Sequence, residues 1–101
     1  MENNYRAWLK VNDKPMAMNR FVEEFVARTT AAAVASLKGG DNIQNFEIHG
    51  EKGNIEIKVN NTEIPITPFP NDLIYNTLKG IISSLKDVDG VERIDISVEV
   101  K

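Results

Sequence analysis

The stretch LKVNDKPMAMNRFVEEFVARTTAAAVASLKGGDNIQNFEIHGEKG (Leu9–Gly53) lies without a gap over IKVNNTEIPITPFPNDLIYNTLKGIISSLKDVDGVERIDISVEVK (Ile57–Lys101) at a constant offset of 48 residues. Eleven of the 45 pairs are identical, namely Lys10/Lys58, Val11/Val59, Asn12/Asn60, Phe21/Phe69, Thr29/Thr77, Ser36/Ser84, Leu37/Leu85, Lys38/Lys86, Asp41/Asp89, Ile48/Ile96 and Glu51/Glu99. Ordinary composition would give roughly three. Other pairs exchange like for like: Leu9/Ile57, Met16/Ile64, Phe25/Leu73, Val26/Ile74 and Phe46/Ile94 stay apolar, and Asn19/Thr67 and Glu24/Asp72 stay polar. The chain is therefore a tandem duplication of residues 9–53 and 57–101, in which each copy fixes the phase of the other.

A chain of 101 residues makes one domain, here 1–101 with pseudo-two-fold halves 5–50 and 53–101, and its single core is small enough that self-association would add materially to stability. The net charge of −3 offers no long-range attraction to nucleic acid or to an anionic membrane. With no cysteine, disulfides, zinc-thiolate sites and thiol nucleophiles are excluded, and a reducing cytoplasm is the expected setting. Met1-Glu2-Asn3-Asn4 lacks a basic-then-apolar signal pattern, and the longest uncharged run, Thr29 to Leu37, is too short to span a bilayer.

Tyr5, Ala7, Leu9 and Val11 alternate with Arg6, Trp8, Lys10 and Asn12, the period of a strand with one wet face. The second copy repeats it with Ile55, Ile57 and Val59 inside and Asn54, Glu56, Lys58 and Asn60 outside, so Trp8 falls on the polar side. The corners Asn12-Asp13 and Asn60-Asn61 tolerate positive φ and offer tight hairpins into the short pieces that follow, which Pro15 and Pro65 oppose. Helices are predicted to start at Asn19 and Thr67, whose side chains can cap a first turn, with Pro68 at the first helical position. Their apolar stripes read Met18, Phe21, Val22, Phe25, Thr29, Ala32, Ala33, Leu37 and Phe69, Leu73, Ile74, Thr77, Ile81, Ile82, Leu85. Gly39 and Gly40 are predicted to stop the first helix, and the second is predicted to run out through Lys86 to Gly90. A strand closes each copy, around Phe46 and Ile48 and around Ile94, Ile96, Val98 and Val100, and Gly50 to Asn54 is predicted to form a hairpin between the copies.

The predicted fold is α+β: a ferredoxin-like βαββαβ sandwich with a four-stranded antiparallel sheet and both helices on one face, or, if the Asn corners form full hairpins, a duplicated ββαβ. The chain resembles the ferredoxin-like superfold over nearly its whole length, and such a fold hosts many functions. RNA-recognition domains of that topology stack bases on central-strand aromatics. The outward residues Asn54, Glu56, Lys58 and Asn60 offer none, so no nucleic acid partner is expected. The cysteine pair of heavy-metal carriers is missing, Asn12-Asp13-Lys14-Pro15 does not match the glycine-rich, arginine-containing loop of acylphosphatases, and the glycines of ACT-type amino-acid sensors have no counterpart between Met1 and Lys38.

Four outward residues carry what chemistry there is. Lys10 and Lys58 are expected near the two-fold axis on central strands, where they either hold an anion or pair with Glu47, Glu56, Asp95 and Glu99. His49, flanked by Glu47 and Glu51, reads as a solvated side chain more readily than as a metal ligand. Trp8 either marks a contact surface or is covered by lysine stems. Ala32 and Gly80 are expected where the helices approach closely, leaving Thr30, Ala31 and Ala35 for an oligomer contact. The expectation is a non-enzymatic homodimeric protein-interaction module with no cofactor, no metal and no membrane. The alternative is a small-ligand sensor or carrier for an anion or amino acid.

Overall fold

Alternating apolar residues, asparagine corners and capped helices assemble in the order β1 (Tyr5–Val11), β2 (Lys14–Pro15), α1 (Arg20–Ala35), β3 (Asn45–Glu51), β4 (Asn54–Val59), β5 (Thr62–Ile64), α2 (Pro68–Ser83) and β6 (Arg93–Val100). The computed structural model describes residues 5–37, 42–85, 88 and 90–100. The six strands form one antiparallel sheet in the order β2-β1-β6-β3-β4-β5. Leu9, Ile96, Ile48 and Ile57 form one continuous buried row across it. Val26, Ala27, Thr30 and Val34 of α1 and Ile74, Tyr75, Leu78 and Ile82 of α2 close over that face. The result is a two-layer slab of 35 × 34 × 18 Å with both helices on one side.

Two expectations about the sheet need correction. It has six strands rather than four, because both Asn corners close into two-residue hairpins and each half is ββαβ. Asn12 and Asp13 (φ 52° and 68°) and Asn60 and Asn61 (φ 51° and 70°) hold the paired positive φ that such tight turns need. The central strands are β3 and β6, whereas the ferredoxin-like reading puts β1 and β4 at the centre. The duplicated asparagines explain this order. Asn12 Oδ1 accepts from the amides of Glu92 and Arg93 while Nδ2 donates to Gly90 O, tying the β1 corner to the start of β6. Asn60 makes the same three bonds to Gln44 N, Asn45 N and Asn42 O at the start of β3.

The halves also match where their residue types differ. Ala7 N and Ile55 N, amides on the outer side of β1 and β4, are accepted by Glu23 Oε2 at 3.0 Å and Asn71 Oδ1 at 2.8 Å. An edge amide that would otherwise recruit a foreign strand is thereby occupied. Asn19 caps α1 through Val22 N, but Thr67 makes no side-chain cap bond, and α2 starts on Pro68. Ser36 and Ser84 are the C-caps, each donating its hydroxyl to the carbonyl four residues earlier. Gly39 and Gly40, and Lys86, Asp87 and Asp89 of the predicted run-out, lie outside the described residues. The hairpin between the copies turns on Lys52 and Gly53 (φ 53° and 82°), while Gly50 belongs to β3.

The helix stripes of the sequence reading hold in part: Ile74 and Ile82 of α2 are buried and Val22, Ala33, Leu37, Ile81 and Leu85 pack against the core, but Phe69 and Leu73 are exposed and the stripe of α1 misses its most buried residues. The buried face of α1 holds Val26, Ala27, Thr30 and Val34, and the large Phe21 and Phe25 are 74% and 47% exposed. A helix lying on a sheet of upright Val, Ile and Leu side chains has room beneath it mainly for small and branched residues. Runs of three- and four-residue steps exist on more than one face of this helix, so spacing alone does not select the buried one.

Candidate functional site

The open face of the sheet gathers all four outward residues named from the sequence. Two cross-strand rows carry it. One runs Lys10, Asp95, His49, Glu56, and the other Trp8, Ser97, Glu47, Lys58, Glu63. The rows are related by the 48-residue offset, with Lys10 matched to Lys58 and Asp95 to Glu47. Lys10 and Lys58 thus occupy equivalent positions. They are not near the axis, because β1 and β4 are three strand spacings apart, about 14 Å. One small anion cannot bridge them.

The lysines face carboxylates, yet among the described residues neither makes an ion pair. His49 occupies two of these carboxylates, Asp95 and Glu47, while Glu63 also stands opposite Lys58. The His49 Nδ1 lies 2.6 Å from Asp95 Oδ1 and its Nε2 3.2 Å from Glu47 Oε1, so one imidazole draws in an acid opposite Lys10 and an acid opposite Lys58. Arg93 takes the other side of Asp95 at 3.5 Å and also reaches Asp13 at 3.5 Å. Partial burial pulls the His49 pKa down, but the hydrogen bonds and charges of Asp95 and Glu47 outweigh it and hold the net value above the ordinary one.

Trp8, Lys10, Asp13, His49, Arg93, Asp95 and Ser97 line a cleft of ≈ 320 Å³ on this face. Lys58 lies apart, in a neighbouring depression with His49, Glu51 and Glu56. The equivalents of Trp8, Asp13, Arg93 and His49 are Glu56, Asn61, Asn45 and Ser97, so the duplication has diverged in chemistry at this cleft. Trp8 is 49% exposed, with the Arg6 guanidinium 5.8 Å from its ring centroid. Among the described residues no group of three or more His, Cys, Asp or Glu is placed to hold a metal ion.

The helix layer carries a second surface that the sequence reading placed in the core. Phe21 and Phe69 are both 74% exposed, with Phe25 and Leu73 at 47% and 54% on the next turn. Two apolar grooves run between the helices. One, of ≈ 350 Å³, is bounded by Phe69, Leu73, Ala33 and Leu37; the other, of ≈ 400 Å³, by the matching Phe21, Phe25, Ile81 and Leu85. The predicted close approach at Ala32 and Gly80 is absent. Both residues are exposed, and a Cβ added to Gly80 would meet nothing within 4 Å. Of the three residues proposed for an oligomer contact, Thr30 is buried with its hydroxyl donated to Val26 O, Ala31 packs partly against the core, and Ala35 is exposed.

Comparison with protein-family models, curated proteins and solved structures finds no match to this chain. No described helix is long and apolar enough to cross a membrane.

Proposed function

We propose that the protein is a non-enzymatic protein-interaction module that acts as a homodimer. The observation that carries this reading is the pair Phe21 and Phe69, three-quarters exposed at equivalent positions of a layer whose outer side is left uncovered by the described residues. Aromatic side chains of this size dominate the energetics of protein contacts when covered and bring no advantage in water. Trp8 on the opposite face gives the module a separate surface for a protein partner. Light scattering at two protein concentrations tests self-association directly. A mass that stays at 11.3 kDa throughout counts against the reading.

One observation favours a second reading, a carrier or sensor of small anions. The Lys10 side chain lines the sheet cleft beside Arg93 and makes no ion pair among the described residues. A melting-temperature screen against phosphate, carboxylates and amino acids tests this. Any stabilisation at the cleft must vanish in Lys10→Met and persist in Lys58→Met, since Lys58 lies in the other depression.

A further inference from the structure

We infer that the dimer forms helix layer against helix layer, with Phe21 and Phe69 of each copy seated in the inter-helix grooves of the other. The inference rests on the homodimer reading above and adds the face, the residues and the fit.

Four features select a second copy as the occupant. The first is area. Exposed fractions of 74%, 47%, 74% and 54% on Phe21, Phe25, Phe69 and Leu73 leave about 500 Å² of apolar side chain uncovered, taking roughly 200 Å² for each whole side chain. That is close to the apolar share of a standard-size interface, roughly two-thirds of about 800 Å² per partner. The second is charge. The helices carry three cations, Arg20, Arg28 and Lys79, and three acids, Glu23, Glu24 and Asp72, so the helix pair is neutral on a chain of net charge −3. A copy meets no repulsion here, whereas a strongly charged partner gains nothing.

The third feature is shape. Phe21 stacks on Phe25 with ring centroids 6.1 Å apart, forming a ridge, and Gly80 lies in the groove beside that ridge. The missing side chain at Gly80 is not demanded by the chain's own packing, because the space over it is open. It is explained by a second molecule that needs that space. The fourth is symmetry. Ridge and groove recur at the equivalent positions Phe69 and Leu73, so a two-fold that seats one copy's Phe21 ridge in its partner does the same for the partner's, and the internal pseudo-two-fold offers Phe69 and Leu73 a matching contact. In such a dimer both sheet faces point outward, and the two Trp8 clefts remain available.

The test is sedimentation velocity over a concentration series, with Phe69→Glu, Gly80→Leu and Trp8→Ala beside the wild type. Gly80→Leu adds its bulk into open space in one copy and keeps the fold by circular dichroism, so it holds the test even if Phe69→Glu disturbs folding. The expected result is a dissociation constant raised at least tenfold in Phe69→Glu and Gly80→Leu and changed less than twofold in Trp8→Ala. Dimers of Gly80→Leu and Phe69→Glu as tight as wild type would place self-association elsewhere and overturn this inference while leaving the homodimer reading intact. A monomeric wild type would remove both. A monomer whose grooves take up a fatty acid probe would also overturn it, assigning the face to a small apolar ligand.

Discussion

Ile48 and Ile96 stand directly opposite one another on the central strands and are also each other's equivalents in the repeat, so the internal two-fold passes between them. The outer registers obey the same relation. Leu9 opposite Ile96 maps onto Ile57 opposite Ile48, and Lys10 opposite Pro15 maps onto Lys58 opposite Glu63. A duplicated sequence has folded as one sheet, each half supplying a central strand against which the other half's outer strand pairs.

The two-fold also governs packing volume. Gly50 leaves room for Tyr75, whose ring lies 3.4 Å from where a Cβ would stand, and the equivalent positions hold Val98 and Ala27. A large and an absent side chain in one half replace two middle-sized ones in the other. Gly50→Val is expected to destabilise by about 1–3 kcal/mol through overpacking. Adding Tyr75→Ala, which recreates the pairing of the other half, should recover about 1 kcal/mol relative to the sum of the single changes in urea unfolding.

Asn12 and Asn60 each combine a positive φ with three hydrogen bonds to the start of a central strand. Asn12→Ala and Asn60→Ala are each expected to cost about 2–3 kcal/mol, and Gly at either site somewhat less because it keeps the backbone geometry. The two sites share no partner, so the double variant should be additive within about 0.5 kcal/mol by chemical denaturation.

The His49 pKa stands above its ordinary value in the folded state, so the native protein binds the proton more tightly than the unfolded chain. The stability this gives is fully present below the unfolded-state pKa and is lost as pH rises through the folded-state value. Wild type should therefore lose its advantage over His49→Gln as pH is raised from mildly acidic to mildly alkaline. Thermal midpoints of both proteins across that range check the sign.

Gly80 sits in the last turn of α2 with nothing over it, so in the isolated chain only its backbone freedom matters. At concentrations low enough to keep the protein monomeric, Gly80→Ala should raise stability by about 0.5–1 kcal/mol, read from thermal unfolding.

How much of this was legible depended on which physical signal carried it. Strand alternation and the 48-residue repeat gave β1, β3, β4 and β6 their inward faces, because a one-residue slip would turn every apolar side chain to water. The asparagine pairs offered tight turns by residue type, but Pro15 and Pro65 spoke against the pairing, so the local pattern left the four-stranded and the duplicated ββαβ sheets both open. Strand order was not written in any local pattern: it hangs on where Asn12 and Asn60 find partners, at Glu92 and Gln44, residues that periodicity does not distinguish. The helix stripes were legible in part: Ile74 and Ile82 are buried as read, but Phe21 and Phe69 resemble core residues by type and spacing and are exposed, and only an excess of apolar residues on more than one helix face hinted at a second surface. Trp8, Lys10 and His49 were identified as outward residues, but that His49 would collect both Asp95 and Glu47 required knowing that β3 and β6 are neighbours.

Covering of the helix layer by a second copy is tested most directly by thiol accessibility at Gly80. The chain has no cysteine, so Gly80→Cys introduces a unique thiol on that face, and Ser97→Cys provides a control on the sheet face. The account predicts that labelling of Gly80→Cys slows as concentration rises through dimer formation while labelling of Ser97→Cys keeps its rate. Equal labelling of Gly80→Cys in monomer and dimer would contradict it.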